Sequence, residues 1–298
     1  MKKYYNLLLI VVFVFLEVFF LANPKVIISS FNTNTNICLY SLLPSMFISC
    51  LFSQILINLN IENYLPKLLK KSISKLFNIS DKDVSIIILS MISGYPNNAN
   101  LLKDNPNLNN IIHYTNFVNP IFLIATVGCI YLKDIKLSII ILLSHYISNF
   151  ILGIILRNNN NNLKDNIVLN KTNSFLNIYY SAIRNTVISV SIIFANILFF
   201  SFVLSIVKYF ISINPIFDSI LYGSLEFSSG IYNITHLIGN KFINGLIITI
   251  IITFSSFSIH MQIINLNKKI RYFKYLIYRF INVFISIIVF IILFNLLQ

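Results

Sequence analysis

A chain of 298 residues that is 57% apolar and only 10% charged has too little polar surface to cover a water-soluble globule. Its mean hydropathy of +0.80 excludes a cytosolic enzyme, a secreted disulfide scaffold and a disordered chain. The net charge of +13 speaks for membrane topology rather than nucleic acid, because Lys and Arg fall between apolar runs. The chain reads as an all-α polytopic membrane protein whose partner is the lipid bilayer, with no nucleic-acid partner.

Cys38, Cys50 and Cys129 stand inside apolar runs without CxxC or Cys/His spacing, so they read as small buried hydrophobes. Asn, Ile, Lys, Phe and Tyr abound while Trp is absent, as an AT-rich genome would produce. A polar residue inside the membrane therefore counts only where it coincides with a break in a helix.

A spanning helix needs about 20 apolar residues. In chain order the apolar segments cover 4–22, 36–59, 84–103, 110–132, 135–157, 176–210, 216–238, 243–265 and 272–297. The first follows Lys2 and Lys3 and has no A-x-A cleavage site, so residues 1–30 read as an uncleaved transmembrane helix. Residues 31–157 read as a first transport repeat. Within it, 61–79 interleaves Lys67, Lys70, Lys71 and Lys75 with Leu68, Leu69, Ile73 and Leu76, the pattern of an amphipathic surface helix. Residues 158–175 form a polar linker, and 176–298 a second repeat.

Two segments are wrong for simple spans. In 84–103, about ten apolar residues end at Ser93-Gly94-Tyr95-Pro96; in 216–238, a similar half ends at Glu226-Phe227-Ser228-Ser229-Gly230. Ten helical residues reach about 15 Å, half of the hydrocarbon thickness. Both are expected to be re-entrant hairpins whose tips meet near the midplane, leaving seven spans. With the N-terminus inside, two hairpins place 17 basic residues in the cytoplasm and 5 outside, against 15 and 7 for two full spans. The positive-inside rule favours the hairpins, and with them Lys82 and Lys103 on one cytoplasmic side.

Gly94 and Gly230 lie 136 positions apart, and so do Pro120 and Ser256, each at a break in the following segment. Paired interrupted segments entering from opposite faces form an inverted repeat, with the substrate site at the breaks.

The chemistry at those breaks follows from residue type. Pro96 and Pro120 lack an N–H and are expected to free the carbonyls of Ile92 and Asn116, which hydrocarbon tolerates only where protein, water or ligand satisfies them. Asn97, Asn98, Asn116 and Asn119 add amides there; the alternative is a proline kink healed by neighbouring helices. Glu226 is an intramembrane acid beside Gly230, Ser228 and Ser229, which by default marks an ion relay or a substrate contact. The alternative is a structural hydrogen bond to another helix. Ser256, Ser258, His260 and Gln262 bring donors and acceptors to the second break, with Ser229-Gly230 and Asn97-Asn98 expected to offer free N–H groups at half-helix N-termini. His145, Ser148 and Asn149 share one helix face and read equally as interhelix contacts or a site. Glu17, His113 and His236 receive no role.

No Walker loop, H-E-x-x-H, G-x-S-x-G or metal-ligand cluster occurs, so neither an enzyme nor an ATP-driven pump is expected. No cofactor is implied; a coupling ion, proton or sodium, is left open, as is a homo-oligomer.

Five motifs resemble a known family. Ser93-Gly94-Tyr95-Pro96 with Ala99, Asn116-x-x-Asn119-Pro120-x-Phe122 with Val127-Gly128, and His145-Tyr146-x-Ser148-Asn149 come first. Leu225-Glu226-x-Ser228-x-Gly230 and Phe257-Ser258-x-His260-x-Gln262 follow in order, the resemblance running on to Arg279. Together they resemble the sporulation integral membrane protein family of the YlbJ type over about 38–297. The family commonly has Gly at the position of Asn98, Thr at Ser228 and a Gly pair at Ser255-Ser256, and it is longer. The resemblance implies a nucleoside-recognition "Gate" domain, a likeness to concentrative nucleoside transporters, and movement of dipicolinic acid from mother cell to forespore across the outer forespore membrane. The expectation is a transporter of a small organic anion, with Ser93, Gly94, Tyr95, Asn97, Asn98, Asn116, Asn119, Glu226, Ser228, Ser229, Gly230, Ser256, Ser258, His260 and Gln262 lining its site. A nucleoside or other small-solute transporter and a non-transporting structural protein of the spore-forming membrane are the rivals.

Overall fold

The structure, a computed structural model, describes residues 2–80, 83–102, 110–157, 174–211, 214–237 and 239–298. Among these it is all helical, with no strand. Five helices are long and apolar enough to cross a membrane, or six if one bent pair counts as a single span. Lys82, Lys103 and residues 158–173 of the expected linker lie outside the described residues.

The first apolar segment is α1 (Lys2–Ala22), touching the rest through Phe19, whose ring lies 5.1 Å from that of Tyr209. The second differs from expectation. Helix begins at Pro24 rather than near 36, as α2 (Pro24–Ile37), and bends by 47° into α3 (Leu43–Asn58). Its polar run is tolerated because the side chains bond the helix's own carbonyls: Thr33 Oγ1 donates to Ser29 O and Asn34 Nδ2 to Ser30 O. Pro24 at the first turn is pre-shaped for a helix start.

The amphipathic stretch is helical as α4 (Lys67–Phe77). It ends with Phe77 fully buried and stacked on Tyr114, ring centroids 5.2 Å apart. The first expected hairpin consists of α5 (Val84–Ser93) and the short α6 (Asn97–Leu102). The crossing expected at 110–132 is not a continuous helix. One 3₁₀ turn (Ile111–His113) leads into non-helical backbone at 115–119, and helix resumes at Pro120, π-wound over Phe122–Leu132. Thirteen helical residues reach at most about 20 Å, so this segment is too short to span by itself.

α7 (Ile135–Ile155), α11 (Lys241–Phe254) and α13 (Tyr272–Leu297) pack side by side, with Phe290 of α13 buried beside Gly245 of α11. α8 (Phe175–Phe210) is 36 residues long and lies along α2 and α3. Then α9 (Pro215–Leu225) and α10 (Phe227–Leu237) fold back on each other, and α11 continues into α12 (Ser256–Leu266) after a break at Ser255.

The radial distribution of polarity is that of a protein in lipid. Phe13, Phe280, Phe284 and Ile292 face outward, while Asn116, His145, Asn149, Glu226, His260 and Arg279 are buried. A soluble domain has the opposite arrangement. Burial of amides and charges requires partners for each, and those partners organise the centre of the molecule.

Candidate functional site

The breaks predicted from sequence converge in space. Gly94 ends α5 with φ of +73°, and a methyl group there would lie 2.5 Å from Asn119 N. Only glycine permits both the left-handed turn and that approach. Tyr95 N donates to Phe117 O at 2.7 Å, and Asn119 Nδ2 to Ser93 O at 3.3 Å. The first hairpin tip is thereby tied to the non-helical strip 115–119. The ring of Tyr95 meets the ring of Phe227, at the second tip, 5.5 Å away and edge-on. The two tips touch.

Neither proline acts as expected. Pro96 does not interrupt a helix, because the turn at Gly94 has already ended α5; it precedes α6 instead. Pro120 is the first residue of the helix that Asn119 caps, with Asn119 Oδ1 accepting from Ile121 N at 2.9 Å and Phe122 N at 3.1 Å. Proline at a first helical position lacks only an N–H that has no intrahelical partner, so Pro120 opens a helix instead of breaking one.

Glu226 is fully buried in extended geometry between α9 and α10. Its carboxylate accepts from Ser228 N at 3.1 Å, Ser229 N at 2.8 Å and Ser228 Oγ at 2.6 Å. Gly230 N donates to Glu226 O at 3.3 Å. The N–H groups expected to be free at this helix start are therefore taken, Ser229 N by the carboxylate and Gly230 N by the backbone carbonyl of Glu226. Ser229 Oγ turns outward and donates to Asn34 Oδ1 at 2.8 Å. Both residues line a groove of about 340 Å³ with Ser30, Thr33, Lys208 and Tyr222.

At the second break Ser255 and Ser256 both have positive φ, 72° and 52°. The carbonyl of Phe254 accepts from His260 Nε2 at 2.8 Å, and Ser256 Oγ lies 3.1 Å from Ser258 Oγ. Asn116 Nδ2 donates to Ser255 Oγ and accepts, through Oδ1, from Asn98 Nδ2 at 3.4 Å. One chain of amides thus joins the first hairpin, the non-helical strip and the second break. Asn97 Oδ1 accepts from Gln54 Nε2 at 3.3 Å, while Gln262 has no side-chain partner. Asn97 and Gln262 line a small cavity of about 20 Å³ with Cys50 and Pro96, room for about one water.

The structure decides the role of His145, left open by sequence. Its Nε2 accepts from Val118 N at 3.0 Å, which places the proton on Nδ1, 3.0 Å from Thr253 Oγ1. Asn149 Nδ2 donates to His145 O at 2.9 Å, and Asn282 Nδ2 to Asn149 Oδ1 at 3.1 Å. This face of α7 joins the strip 115–119 to α11 and α13. His236 is exposed on α10, its Nδ1 2.7 Å from Tyr232 O, and Glu17 lines an apolar groove of about 630 Å³ between α1, α2 and α8.

Residues that the sequence reading passed over also reach the centre. Arg279, counted there as a cytoplasmic charge, is fully buried, and its Nη2 donates to the carbonyl of His113. Tyr275 is buried one turn before it. The signal was present: Arg279 stands seven residues inside an apolar segment, where a snorkelling side chain no longer reaches the interface with ease. Among the described residues no group of three or more His, Cys, Asp or Glu has the arrangement of a metal site.

The chain is 22% identical over 165 residues to the sporulation integral membrane protein YlbJ of Bacillus subtilis (strain 168), over 53% of this chain and 40% of that protein. The match spans about two fifths of that relative's length. No family model matches the chain, and no solved structure matches it. The likeness supports, at the level of the family, the resemblance carried by the motifs: the chain is similar to an integral membrane protein of sporulation.

Proposed function

We propose that this protein is a sporulation membrane transporter that moves a small organic anion by alternating access, its solute being dipicolinic acid passing from mother cell to forespore. The observation that carries the reading is the buried polar layer where the breaks meet: Tyr95 against Phe227, Asn98 on Asn116, Asn116 on Ser255. A structural protein has no need to collect two helix tips and two broken segments around amides and buried charges, each costly in hydrocarbon. The B. subtilis relative's name supplies the sporulation context, and the family resemblance supplies the solute and the outer forespore membrane.

In this reading the α5–α6 and α9–α10 pairs are re-entrant hairpins of an inverted repeat, with the tips near the midplane. Three polar contacts support the sidedness. Lys208 pairs with Asp218 at 2.7 Å and Lys241 with Asp134 at 2.6 Å, and the two-hairpin topology puts all four outside. Lys274 Nζ donates to Asn110 Oδ1 at 3.4 Å, both assigned to the cytoplasm with the N-terminus. The polar groove reaching Ser229 beside Lys208 is then an outer approach to the second tip. Alternate access comes from rocking one hairpin-bearing half against the other.

Uptake of labelled dipicolinate and labelled uridine into vesicles containing the purified protein tests the proposal. Dipicolinate is expected to accumulate and uridine not. Uridine uptake alone would favour a nucleoside transporter, and uptake of neither a structural protein.

A further inference from the structure

The interior holds a positive charge without a negative partner. Arg279 on α13 is fully buried, and only its Nη2 is engaged, on the carbonyl of His113. Its Nε and Nη1 have no acceptor. Among the described residues no carboxylate pairs with it; the ion pairs there are Lys208–Asp218 and Lys241–Asp134. Glu226 is committed to the start of α10. A lone guanidinium taken out of water costs several kcal/mol even after relaxation, far more than one hydrogen bond to a carbonyl returns.

The surrounding atoms have the same deficit. The Tyr275 ring lies 5.5 Å from the guanidinium carbon, and its hydroxyl is unpartnered. The His113 and His260 rings lie 6.0 and 5.1 Å from the Tyr275 ring, each with an unpartnered Nδ1. The Tyr95 hydroxyl, between α5 and α6, is also buried without a partner, within electrostatic reach of Tyr275, of the Glu226 carboxylate that caps α10, and of Arg279. These side chains come from α13, α12, the turn at 111–113 and the hairpin tip. Buried polar groups are nearly always satisfied, and here several on four elements fail together around one cation.

Their chemistry specifies the occupant. Arg279 Nε and Nη1 and the two tyrosine hydroxyls can all donate, whereas His260, with Nε2 on Phe254 O, presents an acceptor Nδ1 unless protonated. Donors around an uncompensated guanidinium suit a carboxylate, and the flanking Tyr275, His113 and His260 rings suit a planar aromatic body.

We infer that Arg279, Tyr275 and Tyr95 form the seat of a carboxylate group of a planar aromatic acid, with His113 and His260 lining its walls. This rests on the reading of the chain as an organic-anion transporter and deepens it by naming the residue that recognises the charge. The seat is enclosed by Arg279, Tyr95 and Tyr275, all buried, so the ligand enters only when the two halves part. Binding also removes the cost of the lone guanidinium, so solute and closed state stabilise each other.

Equilibrium binding of dipicolinate, and of its uncharged diamide, to the purified full-length chain in lipid nanodiscs tests the inference. The wild type is expected to bind the diacid and not the diamide. Arg279→Lys should weaken diacid binding at least about tenfold, through loss of the fork geometry. Tyr275→Phe and Tyr95→Phe, which remove one oxygen each and keep the ring, should each weaken it about three- to tenfold. If Arg279→Lys does not fold, the two Tyr→Phe variants decide. Wild-type affinity for the diacid in both of them overturns this seat while leaving anion transport intact. A wild type that binds no diacid overturns the transport reading and the seat with it.

Discussion

Glu226 directs its carboxylate at Ser228 N, Ser229 N and Ser228 Oγ, satisfying the first donors of α10. Hydrogen bonds to a charged acceptor are worth about 1.5–3 kcal/mol each. Glu226→Ala should therefore destabilise the protein by about 2–4 kcal/mol, and Glu226→Gln by less, since one carbonyl oxygen remains. Thermal unfolding in detergent measures both; an unchanged Tm for the Ala variant would refute the cap. Asp134 offers a contrast at the membrane edge. Its bond to Lys241, with a smaller part from Leu137 N–H, holds its carboxyl below the usual range. A depressed carboxyl stabilises the folded state above its unfolded value of about 3.9 and loses that contribution as pH falls through the folded value. Asp134→Asn keeps an N-cap but removes the titration, so its Tm should fall less steeply than the wild type's below about pH 4. Parallel slopes would show that the pair contributes nothing.

α9 and α10 are held together by the absence of side chains. A methyl group added at Gly230 would collide with the backbone of Gly223 and approach Ser219 O at 3.1 Å. Gly230→Ala should therefore pry the two helices apart and cost about 1–3 kcal/mol, the range for overpacking. Gly239→Ala, with nothing within 4 Å of the added carbon, is the control and should leave the melting temperature unchanged. Equal effects at both positions would mean that backbone flexibility, not close packing, matters at Gly230. The segment 110–132 teaches a related lesson. Its apolar length equals a span, yet Asn119 and Pro120 start a new helix there, and 115–119 leaves its backbone bonds to Tyr95 and His145.

At the scale of the molecule, hydrogen bonds between distant parts of the chain carry the assembly. Asn116 meets Ser255 across 139 positions, and His145 meets Thr253 across 108. Without a hydrophobic drive between helices in lipid, such bonds and close packing do the joining. A double-mutant cycle with Asn116→Ala and Ser255→Ala should give a coupling of about 0.5–3 kcal/mol in thermal stability. Strict additivity, within about 0.5 kcal/mol, would mean that the two breaks are not linked.

Composition and apolar length by themselves determined that the chain is helical and membrane-embedded, and they located α1, α7, α8 and α13 almost to the residue. Those properties depend on local hydropathy, which a sequence carries openly. The interruptions were legible too, at Gly94, Asn119, Glu226 and Ser255-Ser256, because breaks need glycine, proline or small polar residues wherever they occur. What the sequence could not decide was the bonding state of those residues. Whether Glu226 faces a solute or its own helix, whether Pro96 frees a carbonyl, and whether Arg279 sits at a surface or in the core all depend on partners remote in the chain. A cation seven residues into an apolar segment reaches water only by snorkelling; the bond to the His113 carbonyl and the Tyr275 ring beside the guanidinium turn Arg279 inward instead, and those partners meet in three dimensions alone.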